Sequence, residues 1–227
     1  MFNLIGEEKG RFLDVGCGPA VYTLELLERG FEVWAVDLSP EMILQAKERV
    51  AGLPFSEKAH FSVGDLLSLD SPNEFFDILL CIGVLSYVPD IRKALWQIQR
   101  LLRPGGIAIL QASNPLSPFE IFEIRSARPI YRWTRQLLTG EYPEDYYVKL
   151  TPYSTFHLKK MCENLGLEKI SLHYYDFRLP ILYKFFPKTT FKISKKLEIF
   201  ERSCLLGLLG ASYLLKVQKV LDKKGDP

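Results

Sequence analysis

Cysteine is scarce and scattered in this chain: Cys17, Cys81, Cys162 and Cys204 form no C-x-x-C pair. Such spacing offers no zinc ribbon and points to a reducing compartment, so no structural metal is expected. Charge of one sign is lacking too. Twenty-nine Lys and Arg face 27 Asp and Glu, a formal net charge of +2 that gives no global case for nucleic acid. The start, Met1-Phe-Asn-Leu-Ile-Gly-Glu-Glu-Lys9, has neither the basic region nor the apolar core of a signal peptide. Near the other end the longest uncharged run, Ser203 to Leu215, is too short and too glycine-rich for a membrane span. These absences predict a soluble, cytoplasmic-type chain.

What is present suits a folded core. The hydrophobic share is 48%, and 227 residues fit one α/β domain with an insertion or at most two small domains. Charge is unevenly spread: from Pro180 onward ten Lys or Arg stand against four Asp or Glu, so that stretch is +6 and the remainder about −4.

The run Phe12-Leu-Asp-Val-Gly16-Cys-Gly18-Pro-Ala20 organises the rest. Phe12, Leu13 and Val15 suit a strand covered on both faces, Gly16 and Gly18 allow a sharp turn with room for a ligand, and Pro19 fits a first helical turn. A dinucleotide fingerprint would need Gly or Ala at position 21, where Val21 stands. Asp14, two residues before the first glycine, is a poor neighbour for a pyrophosphate and a good one for a ligand carrying positive charge. The periodicity predicts a helix from Ala20 to Arg29 closed by Gly30, then a strand from Phe31 ending at Asp37. Asp37 lies 21 residues after Gly16, the distance at which a βαβ nucleotide unit places an acid for ribose hydroxyls.

Further along, Ser39-Pro40-Glu41-Met42 caps a helix to Val50, and Ala59 to Val63 reads as a third strand leading into Gly64-Asp65-Leu66. Phe75 to Gly83 is a strongly apolar fourth strand. Asp90 to Leu102 is helical and stops at Arg103-Pro-Gly-Gly106, and Ile107 to Leu110 is a fifth strand. A helix opening at Thr151, a sixth strand over 167–174 and a last strand over 210–219 follow a looser stretch from Ser113 to about Leu150.

Asp14 with Gly16, Gly18 and Ala20 resembles the first motif of the class I S-adenosylmethionine-dependent methyltransferases, an acid followed by G-x-G-x-G, with Ala20 standing for the last glycine. Asp65, Phe76-Asp77-Ile, Leu85-Ser-Tyr87-Val-Pro-Asp90 and Leu101-Leu-Arg-Pro-Gly-Gly106 resemble the later motifs of that family, in order, over about residues 12–112. The resemblance implies a Rossmann-like, doubly wound and mostly parallel seven-stranded sheet. Its last strand enters antiparallel between strands five and six, and a substrate-side insertion follows strand five. It divides the chain into a cofactor-binding part (1–112), an insertion or lid (113–150) and the remainder of the domain (151–227). S-adenosylmethionine is the implied cofactor. The implied contact set is Asp14 for the methionine ammonium, Gly16 and Gly18 for its tail, Asp37 for the ribose hydroxyls, Asp65 for the adenine amine with Leu66 on the ring face, Cys81 at a strand end, and with them Cys17, Leu38 and Met42.

Methyl transfer needs collinearity and dryness more than acid–base chemistry, and a base only for hydroxyl or ammonium acceptors. Tyr87 takes the loop position where many relatives carry His, and a tyrosine of ordinary pKa, about 10, is a poor base at neutral pH. Tyr87 is the candidate for donating a hydrogen bond or packing on substrate, with plain packing as the alternative. Cys81 follows Leu80 where a cytosine-methylating nucleophile would need Pro, and no [Asn/Asp]-Pro-Pro-aromatic tetrad follows strand four. Both features disfavour nucleic-acid acceptors. His157, alone on a helix, reads as structural or exposed. In the insertion, Arg125, Arg128, Arg132 and Arg135 recur at helical spacing with Tyr131 and Trp133 between them. Arg125, Arg128, Tyr131 and Tyr146 are the candidates for an anionic acceptor, a solvated helix face being the plain alternative. Phe185, Phe186 and Phe191 interleave with Lys184, Lys188 and Lys192 between Pro180 and Phe200, which suits peripheral membrane contact, a cover over the sheet or a homodimer contact. The acceptor expected is a small molecule or a lipid-linked one, methylated at O or N. A non-catalytic, cofactor-binding assembly factor is the reading from another class. Only eleven residues precede Phe12, so a lid over the cofactor is expected from the insertion, a partner or a start further upstream.

Overall fold

A computed structural model describes residues 4–5, 10–117, 153–177, 193, 196 and 209–221. Among the described residues the strands and main α-helices follow in the order β1 (Arg11–Val15), α1 (Val21–Glu28), β2 (Glu32–Asp37), α2 (Pro40–Val50), β3 (Ala59–Val63), β4 (Phe76–Cys81), α3 (Ile91–Leu101), β5 (Leu102–Ser113), α4 (Thr155–Glu163), β6 (Leu167–Tyr175) and β7 (Ser212–Lys219). They form one sheet ordered β3-β2-β1-β4-β5-β7-β6. Pairing is parallel from β3 across to β5. The Ala211 amide donates to the Asp176 carbonyl and the Val220 amide to the Gly166 carbonyl, so β7 runs against β6.

Strand order reverses at β1, with β2 on one side and β4 on the other. In a doubly wound sheet the crevice beyond the carboxyl ends of those strands is where ligands bind. Phe12, Leu13, Leu79 and Leu80 are fully buried, as strands covered on both faces require. Helix α2 starts where the sequence says: Ser39 accepts the Met42 amide through its side chain and Pro40 sits in the first turn. Asp90 caps α3 by accepting the Lys93 amide. At the end of α1, Gly30 (φ +88) donates to the Leu27 carbonyl and Phe31 to that of Leu26, the paired bonds of a left-handed helix stop.

Three local expectations change. Strand β5 begins at Leu102, not Ile107, so Arg103-Pro-Gly-Gly106 lies within it. The pairing absorbs these residues in a register shift, Phe76 opposite Leu102 but Ile78 opposite Ile107. Pro19 lies before the helix rather than in its first turn, because Ala20 is the N-cap. Ala20 takes φ 61 and ψ 37, so the glycine of the family motif is favoured there by backbone conformation as well as by size. The fourth strand ends at Cys81, two residues before Gly83.

The chain divides into two compact units. One holds Met1–Gln111, Lys159–Ser171 and Leu215–Pro227, and the other Ala112–Leu158 and Leu172–Leu214. Within the first, the buried Lys219 ammonium bonds the Glu74 carboxylate at 3.0 Å and the Leu102 carbonyl at 2.9 Å. Within the second, the Asn114 side chain donates to the Gly210 carbonyl and the Tyr213 hydroxyl to that of Tyr153. Among the described helices none is long and apolar enough to cross a membrane.

Candidate cofactor site

The site is built on the turn after β1. The amides of Gly16 and Cys17 both donate to the Val36 carbonyl, at 2.7 and 3.1 Å, which lays the turn against β2. Gly16 (φ +68) and Gly18 (φ +52) need left-handed backbone for different reasons. A Cβ on Gly16 would collide with the Val84 side chain, whereas one on Gly18 would meet nothing within 4 Å. Gly16 thus serves the packing of two loops, and Gly18 opens onto free space.

Asp37 stands at the end of β2, half-buried, with both carboxylate oxygens held. Oδ2 accepts the Gly18 amide and Oδ1 the Ser39 amide, each at 2.9 Å. Each oxygen keeps a further lone pair, and the carboxylate cannot swing away. Asp65 is fixed similarly after β3: Oδ1 accepts the Leu67 amide at 2.9 Å, leaving Oδ2 without a partner among the described residues. Both acids lie on the wall of a cavity of about 270 Å³ between the carboxyl ends of β1 to β4. Leu38, Leu66, Val84 and Val88 supply its apolar surface, and among the described residues no Lys or Arg lines it. Two acids without a cation suit hydroxyls, amines and cations, and would repel a pyrophosphate.

Asp14 is placed differently. It is 1% exposed, and the Thr23 hydroxyl donates to its Oδ2 at 2.6 Å from helix α1. Burial pushes its carboxyl up to about 6, the Thr23 bond pulls the other way, and the charge of Asp37 adds to the rise. The acid lies beneath the turn and not on the cavity wall. Cys17 packs against Ala35 and Ile43, and Cys81 is fully buried in β4; burial pushes both thiols up to about 12. Neither lines the cavity, and neither is poised as a nucleophile.

Of the residues singled out from sequence, the structure therefore brings Gly16, Asp37, Leu38, Asp65, Leu66 and Tyr87 together on one cavity. Gly18 is bonded to this wall through Asp37. Asp14, Cys17, Met42 and Cys81 stay off it because their side chains are taken up by the packing behind the turn or, for Met42, by its place in α2. Tyr87 is 55% exposed at the rim. Arg125, Arg128, Tyr131 and Tyr146 lie outside the described residues, as does the basic-aromatic stretch 180–200 apart from Ile193 and Lys196. Sequence reasoning missed Leu67, Gly83 and Val84 on the wall, and quoted Val88 and Pro89 within the 85–90 motif without giving them a place there. Their signal was positional, since they follow the strands flanking the reversal. It also missed Gln111, whose side-chain carbonyl accepts the Gly83 amide at 2.7 Å. A polar residue closing the apolar run Ile107–Leu110 was the available clue.

The sheet order, with this crevice at its reversal, defines a Rossmann-like domain. A family described as "Methyltransferase domain" matches residues 13–110. The chain is 35% identical over 124 residues to the malonyl-[acyl-carrier protein] O-methyltransferase of Salmonella typhimurium, covering 55% of this chain and 46% of that one. It is 36% identical over 107 residues to a ubiquinone biosynthesis O-methyltransferase of Xanthomonas oryzae, covering 46% of this chain and 43% of that one. Among solved structures, a SAM-dependent methyltransferase from Methanosarcina mazei superposes with a TM-score of 0.63 at 18% identity, covering 97% of both chains. Residues 13–110 thus resemble a methyltransferase domain, and the fold is the one seen in S-adenosylmethionine-dependent methyltransferases, whose cofactor is S-adenosylmethionine. The chain spans about half the length of the curated relatives it matches.

The residues present fit that cofactor. The space above Gly18 and Gly83, into which a Cβ would project freely, leaves backbone open to a ligand tail. The two wall acids have acceptor capacity left.

Proposed function

We propose that the chain is an enzyme that transfers a methyl group from S-adenosylmethionine to a small-molecule or lipid-linked acceptor, at oxygen or nitrogen. The observation that carries this reading is Asp37, locked by two backbone amides on the cavity wall with one lone pair of each oxygen still open. Two vicinal hydroxyls are the natural complement of such a carboxylate. S-adenosylmethionine supplies a methyl group on a positively charged sulfonium. Asp37 accepts the ribose hydroxyls, Asp65 accepts an exocyclic amine, and Leu66 packs on the ring face. Val84, Val88 and Pro89 keep water from the reacting centre, where dryness strengthens positioning forces. Tyr87, at the rim, offers its hydroxyl to an acceptor. The names of the two curated relatives, both O-methyltransferases, favour an oxygen acceptor.

Calorimetric titration with S-adenosylhomocysteine tests the cofactor assignment: saturable one-to-one binding is expected, and no heat above dilution would remove it. Transfer of labelled methyl to a fractionated metabolite and lipid extract tests catalysis, and binding without transfer to any fraction would favour the non-catalytic assembly factor. A second reading, action at a membrane face, is favoured by the aromatic and lysine residues between Pro180 and Phe200. Flotation with anionic vesicles decides it, since a chain that stays at the bottom of the gradient does not act there.

A further inference from the structure

Between β3 and β4 the chain crosses residues 64–75 with no regular structure except the single 3-10 turn Leu66–Ser68. This crossing carries one wall of the cavity, Gly64 to Leu67. Its own bonds are few: the amides of Leu67 and Ser68 both turn back onto Asp65. Its ends are tied down by backbone, Gly64 donating to the Asp37 carbonyl and Glu74 and Phe75 to the carbonyls of Arg100 and Leu101, and Lys219 bonds the Glu74 carboxylate. Between those ends the support comes from the side chains of two residues on one face of α3, three positions apart. The buried Gln97 donates its amide to the Leu67 carbonyl at 3.1 Å, and its own carbonyl accepts Arg100 Nε at 2.7 Å. The Arg100 guanidinium then donates to the Leu69 carbonyl at 2.9 Å, the Ser71 carbonyl at 2.8 Å and the Asn73 Oδ1 at 2.6 Å. One planar fork and one amide thus hold three backbone carbonyls and a side chain, a geometry that a lysine cannot reproduce.

The same helix carries the facing wall. Tyr87, Val88 and Pro89 line the cavity and run directly into Asp90, the N-cap of α3. Helix α3 is therefore a rigid spacer with the acceptor-side loop at its start and the Asp65–Leu67 turn bonded to its second half. Neither Gln97 nor Arg100 lines the cavity.

We propose that Gln97 and Arg100 are positioning residues that set affinity for the adenosine part of the cofactor, by keeping the 65–67 wall in register with the 84–89 wall. This rests on the cofactor assignment above. Removing the fork lets the crossing take other conformations, and apparent affinity falls by the fraction of molecules left competent to bind.

The test uses the full chain with Arg100→Lys, which keeps the charge but not the fork, and Gln97→Leu, which removes the bond to Leu67. Arg103→Gln is the control, losing an arginine contact to Asp77 at the amino end of β4, away from the cavity. Titrated with S-adenosylhomocysteine and with adenosine well below the unfolding temperature, both Gln97 and Arg100 variants should bind each ligand roughly tenfold more weakly. The control should bind as the unchanged chain does. Amide exchange at Leu67 and Ser68 should quicken in both variants. Affinities within twofold of the unchanged chain, or an equal loss in Arg103→Gln, would overturn the assignment. Should Arg100→Lys not fold, Gln97→Leu decides alone, because it removes few bonds. If the unchanged chain bound neither ligand, the cofactor assignment would fall and this inference with it.

Discussion

At the end of β1 Asp14 lies under the glycine turn, 1% exposed and bonded to Thr23; at the end of β2 Asp37 stands half-buried on the cavity wall, bonded to two backbone amides. Both are acids near the carboxyl end of a strand beside the same glycine turn, yet their surroundings are opposite. The region below the turn is dry and apolar, with Cys17, Ala20 and Leu13 around it, so a charge there is costly. The wall is open, and its carboxylate accepts two backbone amides. The difference separates an acid that holds the turn from acids that line the cavity. Asp14 ties α1 to β1 through Thr23; Asp37 and Asp65 stand on the wall.

Substitutions at the turn break this division most strongly. Gly16→Ala forces a methyl into the Val84 side chain at φ +68, and a stability loss on the order of 2–4 kcal/mol is expected in denaturant titration. Gly18→Ala meets open space and should lose only about 1 kcal/mol while obstructing the ligand.

The floor acid should announce itself through pH. Its folded pKa of about 6 lies above the ordinary 3.8, so the native state holds the proton longer than the unfolded one. Stability contributed by Asp14 is then greatest below about 4 and falls as pH rises through about 6, by an amount on the order of 3 kcal/mol. Asp14→Asn keeps an acceptor for Thr23 and removes the charge. The variant should be more stable at pH 7 and lose this segment of the pH profile, as thermal unfolding across pH 4–7 would reveal.

On the wall, Asp65→Ala removes both the bond to Leu67 and the open acceptor, and adenosine affinity should fall about tenfold. The smallest change is expected at Ala20, buried in the left-handed region at φ 61. Ala20→Gly relieves that strain and should raise stability by about 0.5–1 kcal/mol without altering ligand affinity.

Much of this was legible in the chain itself. The strand–glycine turn–helix run, the spacing to Asp37, the cap at Ser39 and the helical periodicity from Asp90 are local signals, and the elements they predict are present. What local pattern could not convey was direction. Asp14 and Asp37 look alike as strand-end acids, and only the pairing of β1 between β2 and β4 turns one inward and the other onto the crevice. Cys81 misled for the same reason, as the last residue of a strand buried on both faces. The start of β5 was hidden by Pro104-Gly-Gly106, turn chemistry that the register shift opposite Phe76 and Ile78 accommodates inside the strand. Gln97 and Arg100 were invisible because a surface-like Gln-x-x-Arg gains its meaning from a loop some thirty residues earlier.

The division between floor and wall is tested most directly by titrating S-adenosylhomocysteine into Asp37→Asn and Asp14→Asn side by side at pH 7. Asp37→Asn should lose affinity by roughly a hundredfold, the worth of two charge-assisted hydrogen bonds, while Asp14→Asn stays within about threefold of the unchanged chain. An Asp14→Asn loss as large as that of Asp37→Asn would contradict the account.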